Sequence, residues 1–136
     1  MHYLNSLDAI NTSNSRIRDF IQGKYKDEVP PTGTYLWVDV REVALAHVRA
    51  IEVEEAAGKR FFTLAGHMSN KAIAEAIRET HPELESKLPP KDYPDDTPAD
   101  VYGYDNTRTI QVLGLKYRTL TDSVSDTVNS LVDVGA

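Results

Sequence analysis

Tyr35-Leu36-Trp37-Val38-Asp39-Val40-Arg41-Glu42-Val43-Ala44-Leu45-Ala46-His47-Val48, continued by Gly58-Lys59-Arg60-Phe61-Phe62-Thr63-Leu64, is the stretch that decides how this chain folds. Residues 34–38 are mostly β-branched, aromatic and aliphatic, which gives them strand character. Asp39 follows directly and is placed to accept a backbone N–H at the start of a helix running to about Glu55. On that helix Val40, Val43, Ala44, His47, Val48 and Ile51 fall at helical spacing, a stripe that predicts one face for burial. His47 lies within the stripe, and no second histidine or carboxylate shares its face at ligand spacing, so a hydrogen-bonded core histidine is predicted rather than a metal ligand or catalyst. Gly58 stops the helix. Residues 60–65 then form a short apolar run without clean alternation, the pattern of a strand covered on both faces.

Toward the N-terminus, Leu4, Leu7, Ile10, Ile17, Phe20 and Ile21 recur around a polar break at 11–15. This predicts helical structure over 4–22, in one helix or two, with Ser13 or Asn14 available as a cap. Pro30, Pro31 and Gly33 make 25–34 a connecting loop. Toward the C-terminus, Ser69 can cap a helix over 69–81 that buries Ala72, Ile73, Ala76 and Ile77 and closes at His81-Pro82. Residues 83–104 carry Pro89, Pro90, Pro94 and Pro98 and an acidic excess, and are read as a long, solvated, irregular excursion. The segment 105–134 is predicted to be mainly helical: Asp105-Asn106-Thr107 opens one helix that Gly114 ends, 115–118 are extended, and Thr121 caps a last helix with Val124, Val128, Leu131 and Val132 on one face.

With 136 residues and 40% apolar content, the chain is predicted to be one α-rich α/β domain over 1–136 with a single core. There is no cysteine, so disulfides, thiolate metal sites and a cysteine nucleophile are excluded. No basic leader with an apolar core opens the sequence, and no apolar run approaches the roughly 18 residues of a membrane span. A cytoplasmic protein without a membrane partner is expected. The net charge of −6 disfavours nucleic acid, whose binding depends on Lys and Arg neutralising phosphates.

The chemistry-bearing motifs are missing. The seven glycines stand far apart, so no local backbone cradle for a pyrophosphate can form. No Walker loop, no Gly-x-Ser-x-Gly elbow and no His-Glu-x-x-His zinc helix occurs. No tyrosine is followed four positions on by a lysine. Asp95 and Asp96 are adjacent carboxylates, but they lie in a proline-rich loop with no apolar wall to raise a pKa. On these grounds no catalytic residue, cofactor-binding residue or metal ligand is assigned.

The strand followed by Val38-Asp39-Val40-Arg41-Glu42-Val43-Ala44-Leu45-Ala46-His47 resembles a segment of the extended short-chain dehydrogenases/reductases. The subgroup it is most similar to holds the dihydroflavonol and cinnamoyl-CoA reductases and the fungal NADPH-dependent methylglyoxal and ketone reductases. The likeness continues through Gly58-Lys59-Arg60-Phe61, Ser69-Asn70-Lys71, Asp105-Asn106-Thr107-Arg108 and Val112-Leu113-Gly114-Leu115-Lys116-Tyr117-Arg118, and ends in Asp122-Ser123-Val124-Ser125-Asp126-Thr127-Val128. It covers the C-terminal portion of such an enzyme. The resemblance implies a substrate-binding lobe and the last sheet strand of an extended Rossmann-type reductase, without the nucleotide-binding half or the catalytic serine, tyrosine and lysine. It further implies that the parent activity is NADPH-dependent reduction of aldehydes or ketones, that NADPH is not bound by this segment alone, and that Tyr3 and Trp37 are candidate walls of the pocket for a small carbonyl substrate, Trp37 having core packing as its alternative. A strand at 60–65 whose sheet neighbours are missing would leave backbone groups unpaired. A protein partner or a homo-oligomer formed through that edge is therefore the other reading.

Overall fold

The computed structural model describes residues 10–136. Helix α1 (Thr12–Ile21) leads through a loop to the two-residue strand β1 (Leu36–Trp37), then to α2 (Val40–Glu52). Strand β2 (Gly66–His67) pairs antiparallel with β1, Leu36 opposite His67 and Trp37 opposite Gly66. Then come α3 (Asn70–Thr80), α4 (Thr107–Leu113) and α5 (Leu120–Asp133), with 3₁₀ turns at Glu54–Ala56 and Pro82–Lys87.

Local chemistry sets most of these boundaries. Asp39 caps α2 by accepting from the Arg41 N–H, and Ser69 caps α3 by accepting from the Ala72 N–H. Helix α3 ends at His81, which Pro82 pushes out of helical geometry. Gly114 closes α4 in the left-handed conformation, φ 67°, where a side chain would be strained. Two caps differ from expectation. Asn11, not Ser13 or Asn14, accepts from the Asn14 N–H to open α1, and Thr119, not Thr121, caps α5 by accepting from the Asp122 N–H. In both cases more than one hydroxyl or amide side chain lies within a few residues of the helix start.

The main core lies where α1, α3 and α5 meet. Phe20, Ile77, Val128 and Leu131 are fully buried there, with Ile73 and Val124 beside them. A second, smaller apolar cluster joins α2 to α4 through Ala46, Ala56, Leu113 and Leu115. The single core expected from length is thus a core with a satellite.

The 35–64 stretch is less buried than its composition predicts. On α2 the face that packs carries Glu42 and Ala46, whereas Ala44, His47, Val48 and Ile51 are exposed, Val48 at 50% and Ile51 at 88%. The apolar stripe exists, but nothing among the described residues covers its C-terminal half. His47 is correspondingly exposed, its Nδ1 donating to the Val43 carbonyl at 2.7 Å, and is not the core histidine expected.

Residues 60–65 likewise form no strand ladder. A ladder needs a neighbouring strand, and here side chains serve instead. Arg108 Nη1 donates to the Arg60 carbonyl (3.2 Å), Thr109 Oγ1 to the Phe62 carbonyl (2.9 Å), and Asn106 Nδ2 to the Leu64 carbonyl (2.7 Å). Alternate residues of an extended chain present their backbone groups to opposite sides. The backbone groups of Phe61 and Thr63 face away from α4, and among the described residues they have no hydrogen-bond partner.

Candidate functional site

A cleft of about 600 Å³ lies between the first turn of α1, β1, the start of α2 and the start of α5. Its lining is chiefly apolar and includes Leu36, Trp37, Val43, Leu64, Met68 and Val124. Concave, apolar walls with a few polar groups are the usual make-up of a small-molecule site.

A buried polar knot fixes the two helices that wall it. The Asp39 carboxylate, 0% exposed, accepts from Arg41 Nε (2.9 Å) and Nη2 (2.8 Å) and from Ser123 Oγ (2.7 Å). Arg41 reaches on to Asp126 at 2.7 Å, so the guanidinium ties α2 to α5. Burial works to raise the Asp39 pKa, but the hydrogen bonds from the Arg41 side chain and backbone and from Ser123 outweigh it and hold the carboxyl well below the usual carboxylate range. Glu42, 1% exposed, forms an ion pair with Arg118, and its Oε2 is buried with no partner among the described residues. Asp39 and Glu42 are thus buried within these pairs, whereas Arg41, Asp126 and Arg118 are partly exposed.

A second network pins the proline-rich excursion over the molecule. Asp96 accepts from the Thr32 N–H and hydroxyl, both at 2.6 Å, and the Thr32 hydroxyl accepts from the Asn70 N–H at 2.9 Å. Tyr35 donates to the Asp96 carbonyl (2.9 Å), the Tyr102 hydroxyl accepts from the Tyr35 N–H (3.2 Å), and His67 Nε2 donates to the Tyr102 carbonyl (2.9 Å). The excursion expected to be merely solvated is therefore latched at Asp96 and Tyr102, although most of its other acids are exposed.

Trp37 lies on the cleft wall, half-buried, rather than inside either apolar cluster. Tyr3 lies outside the described residues. Sequence reasoning passed over Asn14 and Arg16, which line the cleft from α1; Asn14 was visible only as a possible cap, and Arg16 stood in no motif. Among the described residues no group of three or more His, Asp or Glu side chains is placed to hold a metal ion, and no helix is long and apolar enough to cross a membrane.

No protein-family model matches the chain. It is 52% identical over 132 residues to the ketoreductase azaE of Aspergillus niger, an alignment covering 96% of this chain and 39% of that protein. It is 33% identical over 128 residues to cinnamoyl-CoA reductase 1 of Arabidopsis thaliana, covering 93% of this chain and 36% of that one. The crystal structure of Gre2 in complex with NADPH from Candida albicans superposes with a TM-score of 0.83 at 28% identity, over 99% of this chain and 40% of that one. The chain thus spans about two fifths of the length of the proteins it matches. Residue order, fold and relatives agree: over nearly its whole length the chain is similar to the C-terminal portion of an extended short-chain dehydrogenase/reductase, and it has the helix-rich α/β fold of that portion.

Proposed function

We propose that this segment forms the substrate-side wall of an NADPH-dependent carbonyl reductase and does not transfer hydride by itself. The cleft carries the reading: it is large enough for a small aldehyde or ketone, its walls are apolar, and Trp37 offers a flat aromatic surface on one side. The relatives are named as ketone, methylglyoxal and cinnamoyl-CoA reductases, which supports a carbonyl compound as the ligand class. The residues present do not fit NADPH as sole binding partners. The glycines with positive φ stand singly at turns and helix ends, at 23, 33, 58, 114 and 135, and build no pyrophosphate cradle. Within this chain the residues bind and orient a substrate and exclude water from one side of it. Purified protein given NADPH and methylglyoxal or a series of ketones is expected to leave the cofactor absorbance unchanged. Sustained oxidation of NADPH would overturn this reading.

A second reading has its own observation. The unpartnered backbone of Phe61 and Thr63 and the exposed apolar residues of α2 and Phe62 favour a module that docks a protein through an extended edge and an apolar face. The partner of fitting chemistry is the sheet-bearing, nucleotide-binding half of a reductase of this type. Sedimentation separates the outcomes: a defined complex or oligomer supports docking, and a cooperative monomer at all concentrations counts against it.

A further inference from the structure

The cleft has one polar corner. Asn14, only 5% exposed, holds its Nδ2 buried with no hydrogen-bond partner among the described residues. Two residues on, Arg16 donates from Nη2 to the Thr32 carbonyl at 3.0 Å, while its Nη1 is buried and also unpartnered. Both residues line the cleft, as do Asn11, Thr12 and Ser13 at the start of α1, the positive end of that helix. A buried donor without an acceptor costs roughly 1–3 kcal/mol, and more when it is charged, so two of them beside one cavity ask for an acceptor that no described residue supplies. The nearby carboxylates are engaged elsewhere: Asp39 with Arg41 and Ser123, Asp96 with Thr32. Among the described residues Arg16 makes no ion pair.

We propose that Asn14 and Arg16 bind an anionic oxygen of the substrate, so that the carbonyl compounds this cleft selects are oxo acids rather than neutral ketones. The inference rests on the reading of the cleft as a substrate wall and narrows it to a substrate class. A guanidinium discriminates because its hydrogen bond to a carboxylate is about twice as strong as one between neutral groups. Arg16 supplies the charge and Asn14 a second donor, while the apolar walls take the carbon chain.

The chain's single tryptophan, Trp37, lines the same cleft and reports occupancy by its fluorescence. A series of straight-chain oxo acids beginning with levulinate, each titrated against its methyl ester, is expected to bind about tenfold or more tighter as the acid, the size of one charge-assisted hydrogen bond. Arg16→Met should erase that preference; Arg16→Lys should restore part of it, and Asn14→Asp should reverse it by placing a negative charge in the corner. Circular dichroism of each variant confirms the fold, and Arg16→Lys with Asn14→Asp suffices if Arg16→Met does not fold. Equal affinity for acid and ester overturns the proposal and leaves the cleft a substrate wall. Failure of every acid and ester to perturb Trp37 overturns both. Binding of inorganic pyrophosphate in preference to every oxo acid assigns the corner to a phosphate and also overturns the proposal.

Discussion

At the scale of single residues, Asp39 is the group on which most structure depends. Its capping role is legible in the sequence, because a cap is a local arrangement with Arg41 two positions on. Its burial is not legible, since Ser123 and Asp126 come from the far end of the chain and enter only through folding. The depressed pKa gives this a measurable sign. A carboxyl whose folded pKa lies below its unfolded value contributes stability that is fully present above the unfolded pKa and is lost as pH falls toward the folded one. Asp39→Asn keeps a capping side chain but removes the charge. The variant is expected to be about 2 kcal/mol less stable at neutral pH, the scale of a buried hydrogen bond to a charged group. Below about pH 4 the wild-type protein should lose that advantage and the two stability curves should converge. Urea titrations at a series of pH values read this directly, and parallel curves at every pH would show that the carboxylate charge is not what joins α2 to α5.

At the scale of elements, the segment 60–65 shows what a pattern of side chains can and cannot specify. Its apolar run predicts a strand covered on both faces, but a ladder also needs a second strand, and no periodicity reports whether one exists. In this chain α4 answers on one side only, through Arg108, Thr109 and Asn106. The same gap separates expectation from structure on α2, where spacing identifies the apolar stripe but not what lies against it. Cleft residues such as Asn14 and Arg16 were illegible for a related reason: an unmet donor is a property of the fold, not of residue type. Hydrogen exchange tests the asymmetry of the segment. The amides of Ala65 and Met68, which donate to the Trp37 and Tyr35 carbonyls at 2.9 and 2.7 Å, are expected to be protected. Those of Phe61 and Thr63 should exchange close to the rate of an unstructured peptide, because no acceptor shields them. Protection at Phe61 and Thr63 equal to that of Ala65 would mean the outer edge is already paired.

At the scale of the whole molecule, stability and association are expected to draw on different surfaces. The α1–α3–α5 core holds the fold together: Ile77 is 0% exposed, and Ile77→Ala should cost about 3 kcal/mol in transfer and cavity terms. Outside that core Val48, Ile51 and Phe62 are exposed, and the backbone of Phe61 and Thr63 has no hydrogen-bond partner among the described residues. An apolar face that no part of the chain covers contributes little to folding and much to sticking. Val48→Lys combined with Ile51→Lys is therefore expected to change the unfolding free energy by no more than about 0.5 kcal/mol, as for ordinary surface positions. The same double variant should shift the chain toward monomer in sedimentation at concentrations where the wild type associates. A loss of stability comparable to that of Ile77→Ala would instead place this face inside the fold. A wild-type chain that stays monomeric throughout would leave α2 an apolar surface without a partner, and would remove the main support for docking through that face and the unpaired 61–63 backbone.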